Sequence, residues 1–337
     1  MGVVFDHSQY FVQPTQSFMI LRRWIFTFFL QIFFFVPGLT ANEEPLSEWK
    51  AVKNFIDKSF RSIMVPYYIW AFIGGWLIDI DFLKSVLTGT QKALEGHTDS
   101  ILWFLPALFV ARMFYWGAIQ LIHLIAKRNS AEAKLIFAVG FIGCGAALGK
   151  VFENAIPLGA DIGLVGCGLM LISSLLRKRV IELREGRRAV KVAVLVAGAI
   201  WSVIFGFLNM PYTVSPDGQV VYNVAVWMAR GMYGKSVVLF VLSSLSGCAA
   251  VLALAMIVEK LSFLAVCGRH TLGLMVIHNK VYPTAAAAAA TVSALIGISG
   301  FGIQIMAVLF ALLFSAPWVF LVARFAPFLE GKQNAHE

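Results

Sequence analysis

Apolar runs of about 20 residues recur along the whole chain and constrain its fold more than any other feature. A helix of that length spans the roughly 30 Å hydrocarbon core of a bilayer. Hydrophobic residues make up 59% of the 337 residues, more apolar surface than a soluble domain of this length could bury. The predicted fold class is an all-α polytopic membrane protein with nine complete transmembrane helices and a partial one at residues 2–12. The complete spans are predicted near residues 23–41, 61–80, 101–125, 135–152, 157–176, 189–208, 236–258, 263–283 and 298–323.

The distribution of Lys and Arg predicts the topology of a single transmembrane domain, residues 1–326, with a tail at 327–337. Seventeen of these cations follow every second span, against 8 in the alternate connections. Because cytoplasmic loops carry an excess of Lys and Arg, the tail is predicted to be cytoplasmic and the chain start to lie on the far side of the cell membrane. The net charge of +9 then reflects topology, and no nucleic-acid partner is expected. The run Arg177-Lys178-Arg179 could nevertheless bind nucleic acid or anionic lipid.

Other stretches predict packing or surface roles. Apolar residues recur every three to four positions in 42–60, which predicts an amphipathic helix on the cytoplasmic surface. The connection 209–234 contains a Pro-Asp-Gly turn at 216–218 and several aromatics, and could cap a cavity or lie at the membrane interface. The alanine run 285–290 is predicted to be a helical extension without chemistry. The four cysteines all fall in apolar spans and predict neither disulfides nor a metal site.

Ionisable residues inside spans are the best pointers to function, because each costs about 2.5–3.5 kcal/mol to place at a helix centre. His7 could act as a general base, since an imidazole can take a proton from a hydroxyl near neutral pH. The alternative is an interfacial histidine in a frayed terminus. Asp6 is its neighbour, and on a helix it would point about 100° away, which makes it a poor orienting partner for His7.

The remaining ionisable residues each allow two interpretations. Arg112 is predicted to pair with an acid, for which Asp161 is a candidate, or to bind an anion. His278 alone could be a hydrogen-bonded packing residue or a catalyst. Lys58 and Arg61 are three residues apart and share a helix face at the cytoplasmic boundary, where they could bind either ligand phosphates or lipid headgroups.

Five stretches, in this order, resemble the integral-membrane acyltransferase-3 family, particularly its sugar O-acetyltransferase branch. They span essentially the whole chain, which makes the combination more specific than any single motif. The stretches are Val3-Val4-Phe5-Asp6-His7-Ser8, the aromatic run from Phe26 to Gly38, Lys58-Ser59-Phe60-Arg61 with Val65-Pro66-Tyr67, Leu102-Trp103-Phe104-Leu105-Pro106-Ala107-Leu108, and Cys267-Gly268-Arg269-His270-Thr271-Leu272 through His278.

The resemblance implies ten spans and an acyl-CoA-dependent O-acyltransferase with no bound cofactor. Its donor would be cytoplasmic acyl-CoA, with acetyl-CoA expected, and its acceptor a hydroxyl of a carbohydrate or glycoconjugate on the far side of the membrane. His7 would be the catalytic base, and Lys58 and Arg61 would bind the donor phosphates. The substrate cavity would be lined by Tyr67, Trp103, Arg112, Asp161 and His278.

The chain departs from the family pattern in its first two helices. Phe29-Leu30-Gln31 replaces a His-x-Pro motif, and Pro37-Gly38 replaces Ser-Gly. The arginine expected about ten residues before His7 would precede Met1, which predicts a chain lacking most of its first helix. Two rival interpretations are therefore an inactive truncated homologue and a transporter using Arg112, Asp161 and His278. A transporter predicts an internal repeat, and the sequence shows none.

Overall fold

The computed structural model describes residues 2–45, 48–76, 102–126, 130–152, 156–210, 212–214, 220–222 and 226–331. These residues are almost entirely helical. The helices are α1 (Gly2–His7), α2 (Gln16–Phe26), α3 (Ile32–Thr40), α4 (Trp49–Ser59), α5 (Val65–Trp76), α6 (Phe104–Ala126), α7 (Ala131–Val151), α8 (Ala160–Glu185), α9 (Arg188–Asn209), α10 (Val237–Ile257), α11 (Ser262–Arg269), α12 (Thr271–Ile296) and α13 (Phe301–Phe325). The strands form two short antiparallel pairs, β1 (Tyr212–Val214) with β2 (Val220–Tyr222), and β3 (Val226–Trp227) with β4 (Met232–Tyr233).

Among the described residues, six helices are long and apolar enough to cross a membrane. They are α6, α7, α8 with its preceding turn, α9, α10 and α13. The predicted span 23–41 is wrong as one helix, since residues 27–31 form a turn between α2 and α3. The span 263–283 is also misplaced, because α11 ends at Arg269 and a new helix, α12, runs to Ile296. Residues 77–80 of the span 61–80, residue 101 and the turn 216–218 lie outside the described residues.

The chain forms two compact units, of which the larger comprises residues Phe26–Val258. Its core surrounds α8, whose glycines allow three neighbouring helices to approach closely. A Cβ placed on Gly163 would lie 2.7 Å from Val110 Cγ1 of α6. One on Gly166 would overlap the Phe34 ring of α3, and one on Gly168 would overlap Ile142 Cγ1 of α7. Small residues thus provide the close helix contacts that membrane interiors favour.

A buried charge cluster holds the segment after α3 against α6, α7 and α8 in this unit. Lys134 Nζ donates to Glu43 Oε2 at 2.8 Å, and the Tyr115 hydroxyl donates to Glu43 Oε1 at 2.8 Å. Arg177 donates to the Ala41 carbonyl at 2.6 Å and lies 3.8 Å from Glu43. The Lys134 side chain is only 6% exposed, so its charge depends on this partner.

The helix predicted in 42–60 is confirmed for Trp49–Ser59, which form α4, and its position at the cytoplasmic surface stays a prediction. A π-helical turn, Phe60–Met64, joins α4 to α5. Pro66 explains the wide turn. Proline has no N–H to donate, and its ring would clash with the carbonyl four residues earlier in a regular helix. Arg61 lies within this turn, so the regular helical spacing assumed between Lys58 and Arg61 does not hold there.

The β3–β4 hairpin is fixed to the ends of α9 and α10 by Asn209, which is fully buried. Its Nδ2 donates to the Tyr233 carbonyl at 2.8 Å, and its Oδ1 accepts from the Ser236 N–H at 2.8 Å. The Arg230 guanidinium lies 4.4 Å from the centre of the Trp227 ring. Within the connection 209–234, this hairpin is therefore fixed to both flanking helices.

The smaller unit comprises residues Met1–Ile25 and Glu259–Glu337. Its core packs α12 against α13 through small side chains, with Ala285 and Ala289 facing a cluster that includes Ala307 and Ala311. The alanine run is helical, as predicted, and lies within α12. Ala285, Ala286 and Ala289 are its buried members, whereas Ala287 and Ala290 are exposed. Alanine serves here because it lets two backbones approach closely without losing side-chain entropy.

The first residues of the predicted tail pack on this unit. Pro327–Glu330 form a 3₁₀ turn, and the Glu330 carboxylate accepts a hydrogen bond from His270 Nδ1 at 2.9 Å. The Glu330 side chain is only 1% exposed. Residues 332–337 lie outside the described part of the chain.

Candidate functional site

His7 is the last residue of α1, in the smaller unit. Two contacts hold this short helix in place. The Tyr282 hydroxyl of α12 donates to the Val4 carbonyl at 2.6 Å, and the Phe5 ring lies 4.7 Å from the Phe18 ring of α2. The His7 side chain is 17% exposed. The structure thus places His7 on a packed helix and not in a frayed terminus.

Two side chains of α12 bind the His7 ring on one side. His7 Nδ1 lies 2.8 Å from His278 Nε2 and 2.9 Å from Asn279 Oδ1. The two imidazoles stack with their centres 5.0 Å apart and their planes 24° from parallel. His278 is fully buried, and its Nδ1 lies 2.8 Å from the Leu274 carbonyl oxygen. The structure therefore joins two of the ionisable residues that the sequence singled out, although 271 positions separate them.

A buried ion pair lies on the other side of the ring. Arg22 of α2 donates from Nε to Asp6 Oδ1, and Gln9 donates to the same oxygen at 3.2 Å. Asp6 Oδ2 lies 4.0 Å from His7 Nε2. Asp6 does not orient the ring through a direct hydrogen bond, which agrees with the sequence argument. Its carboxylate is nevertheless close enough to stabilise positive charge on His7.

Sequence reasoning missed Arg22 and Asn279 at this site. Arg22 and Arg23 contribute to the sequence analysis only as two of the eight cations in the alternate connections, and Asn279 follows His278 directly. A buried arginine needs an acidic partner. The presence of Asp6 in one apolar segment and of Arg22 at the start of the next could therefore have predicted this ion pair. Nothing in the sequence spacing indicates the contact between Asn279 and His7.

The predicted donor-binding and aromatic residues lie in the larger unit. Lys58 is exposed, and Arg61 pairs with Asp57 at 2.9 Å with both side chains more than half exposed. Tyr67 is buried, and Trp103 packs partly buried against the core of the unit. Neither Lys58 nor Arg61 is held in a buried contact, so both remain able to bind an anion at this surface.

The predicted ion pair between Arg112 and Asp161 is wrong. The Arg112 guanidinium lies 5.9 Å from the centre of the Phe55 ring of α4, which in turn stacks on Trp116 at 5.7 Å. Asp161 lies in the first turn of α8 and faces α7, where a Cβ on Gly149 would be 3.0 Å from its Oδ2. The two side chains therefore point to different neighbours.

Asp161 is only 1% exposed, and its Oδ2 has no hydrogen-bond partner among the described residues. The Tyr233 hydroxyl of the hairpin is also buried and unpartnered in the part of the chain that the structure describes. Burial, followed by the negative charge of Asp161, raises the pKa of the Tyr233 phenol. The start of α8 is therefore a second polar location inside the larger unit.

Comparison with known families identifies the domain that contains these residues. The family model described as an acyltransferase domain matches residues 1–328, a range that includes His7 and its neighbours as well as Lys58 and Arg61. The chain belongs to this acyltransferase family. No curated protein and no solved structure matches the chain. With six helices able to cross a bilayer in the described part of the chain alone, this member of the family is a multi-pass membrane acyltransferase.

Proposed function

We propose that this acyltransferase moves an acetyl or other short acyl group from acyl-CoA to a hydroxyl of a carbohydrate or glycoconjugate. The observation that supports the proposal most is the His7 ring, held between His278, Asn279 and the Asp6–Arg22 pair. A histidine with one ring nitrogen fixed by neighbours and a carboxylate near the other is suited to take a proton and hold it briefly.

In the proposed reaction, His7 removes the proton from the acceptor hydroxyl while its oxygen attacks the thioester carbonyl carbon. The new C–O bond forms and the C–S bond breaks, so the acyl group passes to the acceptor. The proton held by His7 then goes to the departing thiolate, which leaves as free CoA. No oxidant, metal or further reactant is needed for this balance of atoms and charges.

The surroundings of His7 support the charged intermediate of this step. When His7 carries the proton it becomes an imidazolium, and Asp6 Oδ2 lies 4.0 Å from its Nε2. Arg22 Nε donates to Asp6 Oδ1, which holds the carboxylate in position with its other oxygen, Oδ2, towards His7 Nε2. This arrangement stabilises the imidazolium without placing a free carboxylate in competition for the acceptor proton.

We propose that Lys58 and Arg61 bind the donor phosphates, because two exposed cations close together in the sequence can bind phosphate groups at a membrane surface. Of the residues expected to line the substrate cavity, Tyr67, Trp103, Arg112 and Asp161 of the larger unit are proposed to do so. His278 is fully buried against His7, and its proposed role is to support that ring. The excess of Lys and Arg in alternate connections favours a cytoplasmic C-terminus, an inner-face donor and a far-side acceptor. The proposed location is the cell membrane.

The test uses membranes containing the full chain, radiolabelled acetyl-CoA and the endogenous glycoconjugates of those membranes as acceptors. Transfer of label is expected from the wild type, and His7→Ala is expected to reduce it by about 10²–10⁴-fold, the usual contribution of a general base. His270→Gln is the matched control, because His270 is a histidine of the same unit that contacts Glu330 and not His7. Full transfer by His7→Ala would exclude the assigned base, and no transfer by the wild type from any acyl-CoA tested would exclude the reaction.

A further inference from the structure

The hydrogen bonds around His278 determine which of its nitrogens carries a proton. Its Nδ1 lies 2.8 Å from the Leu274 carbonyl oxygen, which has lone pairs and no hydrogen. Nδ1 must therefore be the protonated, donating nitrogen. His278 is fully buried and forms no ion pair with a carboxylate among the described residues. Since an unpaired buried charge is costly, the ring is neutral and its Nε2 is a lone-pair acceptor.

The state of His278 fixes that of His7. His278 Nε2 accepts, so the hydrogen between the two rings belongs to His7 Nδ1, 2.8 Å away. Asn279 agrees with this assignment, because its carbonyl oxygen Oδ1 faces the same His7 nitrogen at 2.9 Å and can only accept. Two independent acceptors therefore converge on one N–H. The other nitrogen of His7, Nε2, is left with its lone pair.

We propose that His278 and Asn279 are positioning residues that lock His7 in its Nδ1–H tautomer, which makes Nε2 the atom that takes the acceptor proton. This assignment rests on the proposed function for its catalytic meaning, although the tautomer itself does not. It also explains the position of Asp6, since Oδ2 lies 4.0 Å from the same Nε2 that becomes protonated during the reaction. Asn279 was not among the residues predicted for the site, and His278 acts here through His7 and not on substrate.

The tautomer is measured directly by ¹⁵N nuclear magnetic resonance on the full chain, purified in detergent with ¹⁵N-labelled histidine. His7→Gln identifies the His7 signals by their loss among the six histidines. In the wild type at a pH where the ring is neutral, the expected result is a protonated Nδ1 and an unprotonated Nε2 on His7. The reverse tautomer, or a mixture of the two, would overturn the inference whether or not transfer activity is found.

Kinetics then test whether the tautomer matters. Each single change, His278→Phe or Asn279→Leu, leaves one acceptor and is expected to lower kcat less than the double variant. The double variant is expected to lose about 10²–10⁴-fold in kcat, as when a catalytic histidine loses the group that fixes its tautomer. Both KM values should stay near wild type, because neither side chain is proposed to bind substrate in this role.

Rescue separates positioning from packing. Asn279→Asp keeps an acceptor oxygen beside His7 Nδ1 and is expected to retain the Nδ1–H signal. The double variant His278→Phe/Asn279→Asp should therefore have a higher kcat than His278→Phe/Asn279→Leu, close to that of His278→Phe alone. His270→Gln is the control for loss of a partly buried histidine in the same unit. A double variant with wild-type kcat and only a lower melting temperature would show a packing role and refute the assignment. An inactive wild type with the expected tautomer would refute the proposed function alone.

Discussion

Replacing Asp6 by Asn is the sharpest test of the electrostatics around His7, because it removes one charge with little change in shape. At the 4.0 Å that separates Asp6 Oδ2 from His7 Nε2, an ion pair in a partly buried site is worth about 4 kcal/mol at an effective dielectric constant near 20. Arg22 shares the Asp6 charge and offsets part of this attraction. We expect a net loss of about 2.5–3 kcal/mol in transition-state stabilisation, which is roughly a 10²-fold fall in kcat.

The assay is initial-rate acyl transfer in membranes at saturating acetyl-CoA, with melting temperature measured on the purified variant. Gln9→Leu is the matched control, since Gln9 donates to the same Asp6 carboxylate at 3.2 Å but carries no charge. It should change kcat by no more than a few-fold. Arg22→Met in the Asp6→Asn background should recover part of the loss, because it removes a positive charge that opposes the imidazolium. An Asp6→Asn protein with wild-type kcat and an unchanged melting temperature would refute the reasoning.

Two further predictions concern buried charges in the larger unit. Glu43→Gln leaves the 6%-exposed Lys134 without its charged partner and should cost about 3–5 kcal/mol of stability, measured as a lower melting temperature in detergent. Adding Lys134→Met should recover most of this loss. A double variant less stable than Glu43→Gln would contradict the prediction. Asp161→Asn should leave the melting temperature unchanged or raise it by an amount equivalent to about 1–2 kcal/mol, because it neutralises a buried carboxylate whose Oδ2 has no hydrogen-bond partner among the described residues. A marked fall in melting temperature would contradict this and indicate an ion pair at Asp161.

The helical membrane class was predictable from the sequence because lipid imposes a simple constraint. Every backbone N–H and C=O in hydrocarbon must be satisfied within the segment, so long apolar runs form helices. This reasoning placed α6, α7, α9, α10 and α13 within a few residues of their observed bounds, whereas α8 continues to Glu185, nine residues beyond the predicted end of its span. It failed at residues 27–31, which form a turn inside a predicted span, and at 263–283, where one helix ends at Arg269 and the next runs from Thr271 to Ile296.

The candidate site was predictable only in part. His7 and His278 were recognisable one at a time, because an ionisable group within apolar sequence is costly and must have a partner or a function. The partner itself was not recognisable, since hydropathy states how deep a residue lies but not which way it faces. The proposed pair of Arg112 with Asp161 failed for this reason, as one side chain faces α4 and the other α7.

The amino-acid sequence alone was enough to predict a helical membrane protein, to show a resemblance to the acyltransferase family and to single out His7. The tertiary structure decided what His7 can do. Proton transfer depends on hydrogen bonds correct to a few tenths of an ångström, and those bonds join residues 271 and 272 positions apart. Local sequence patterns carry no information over such separations. Only the packing of α1 against α12 brings His278 and Asn279 to the Nδ1 side of the His7 ring, and leaves Nε2 facing Asp6.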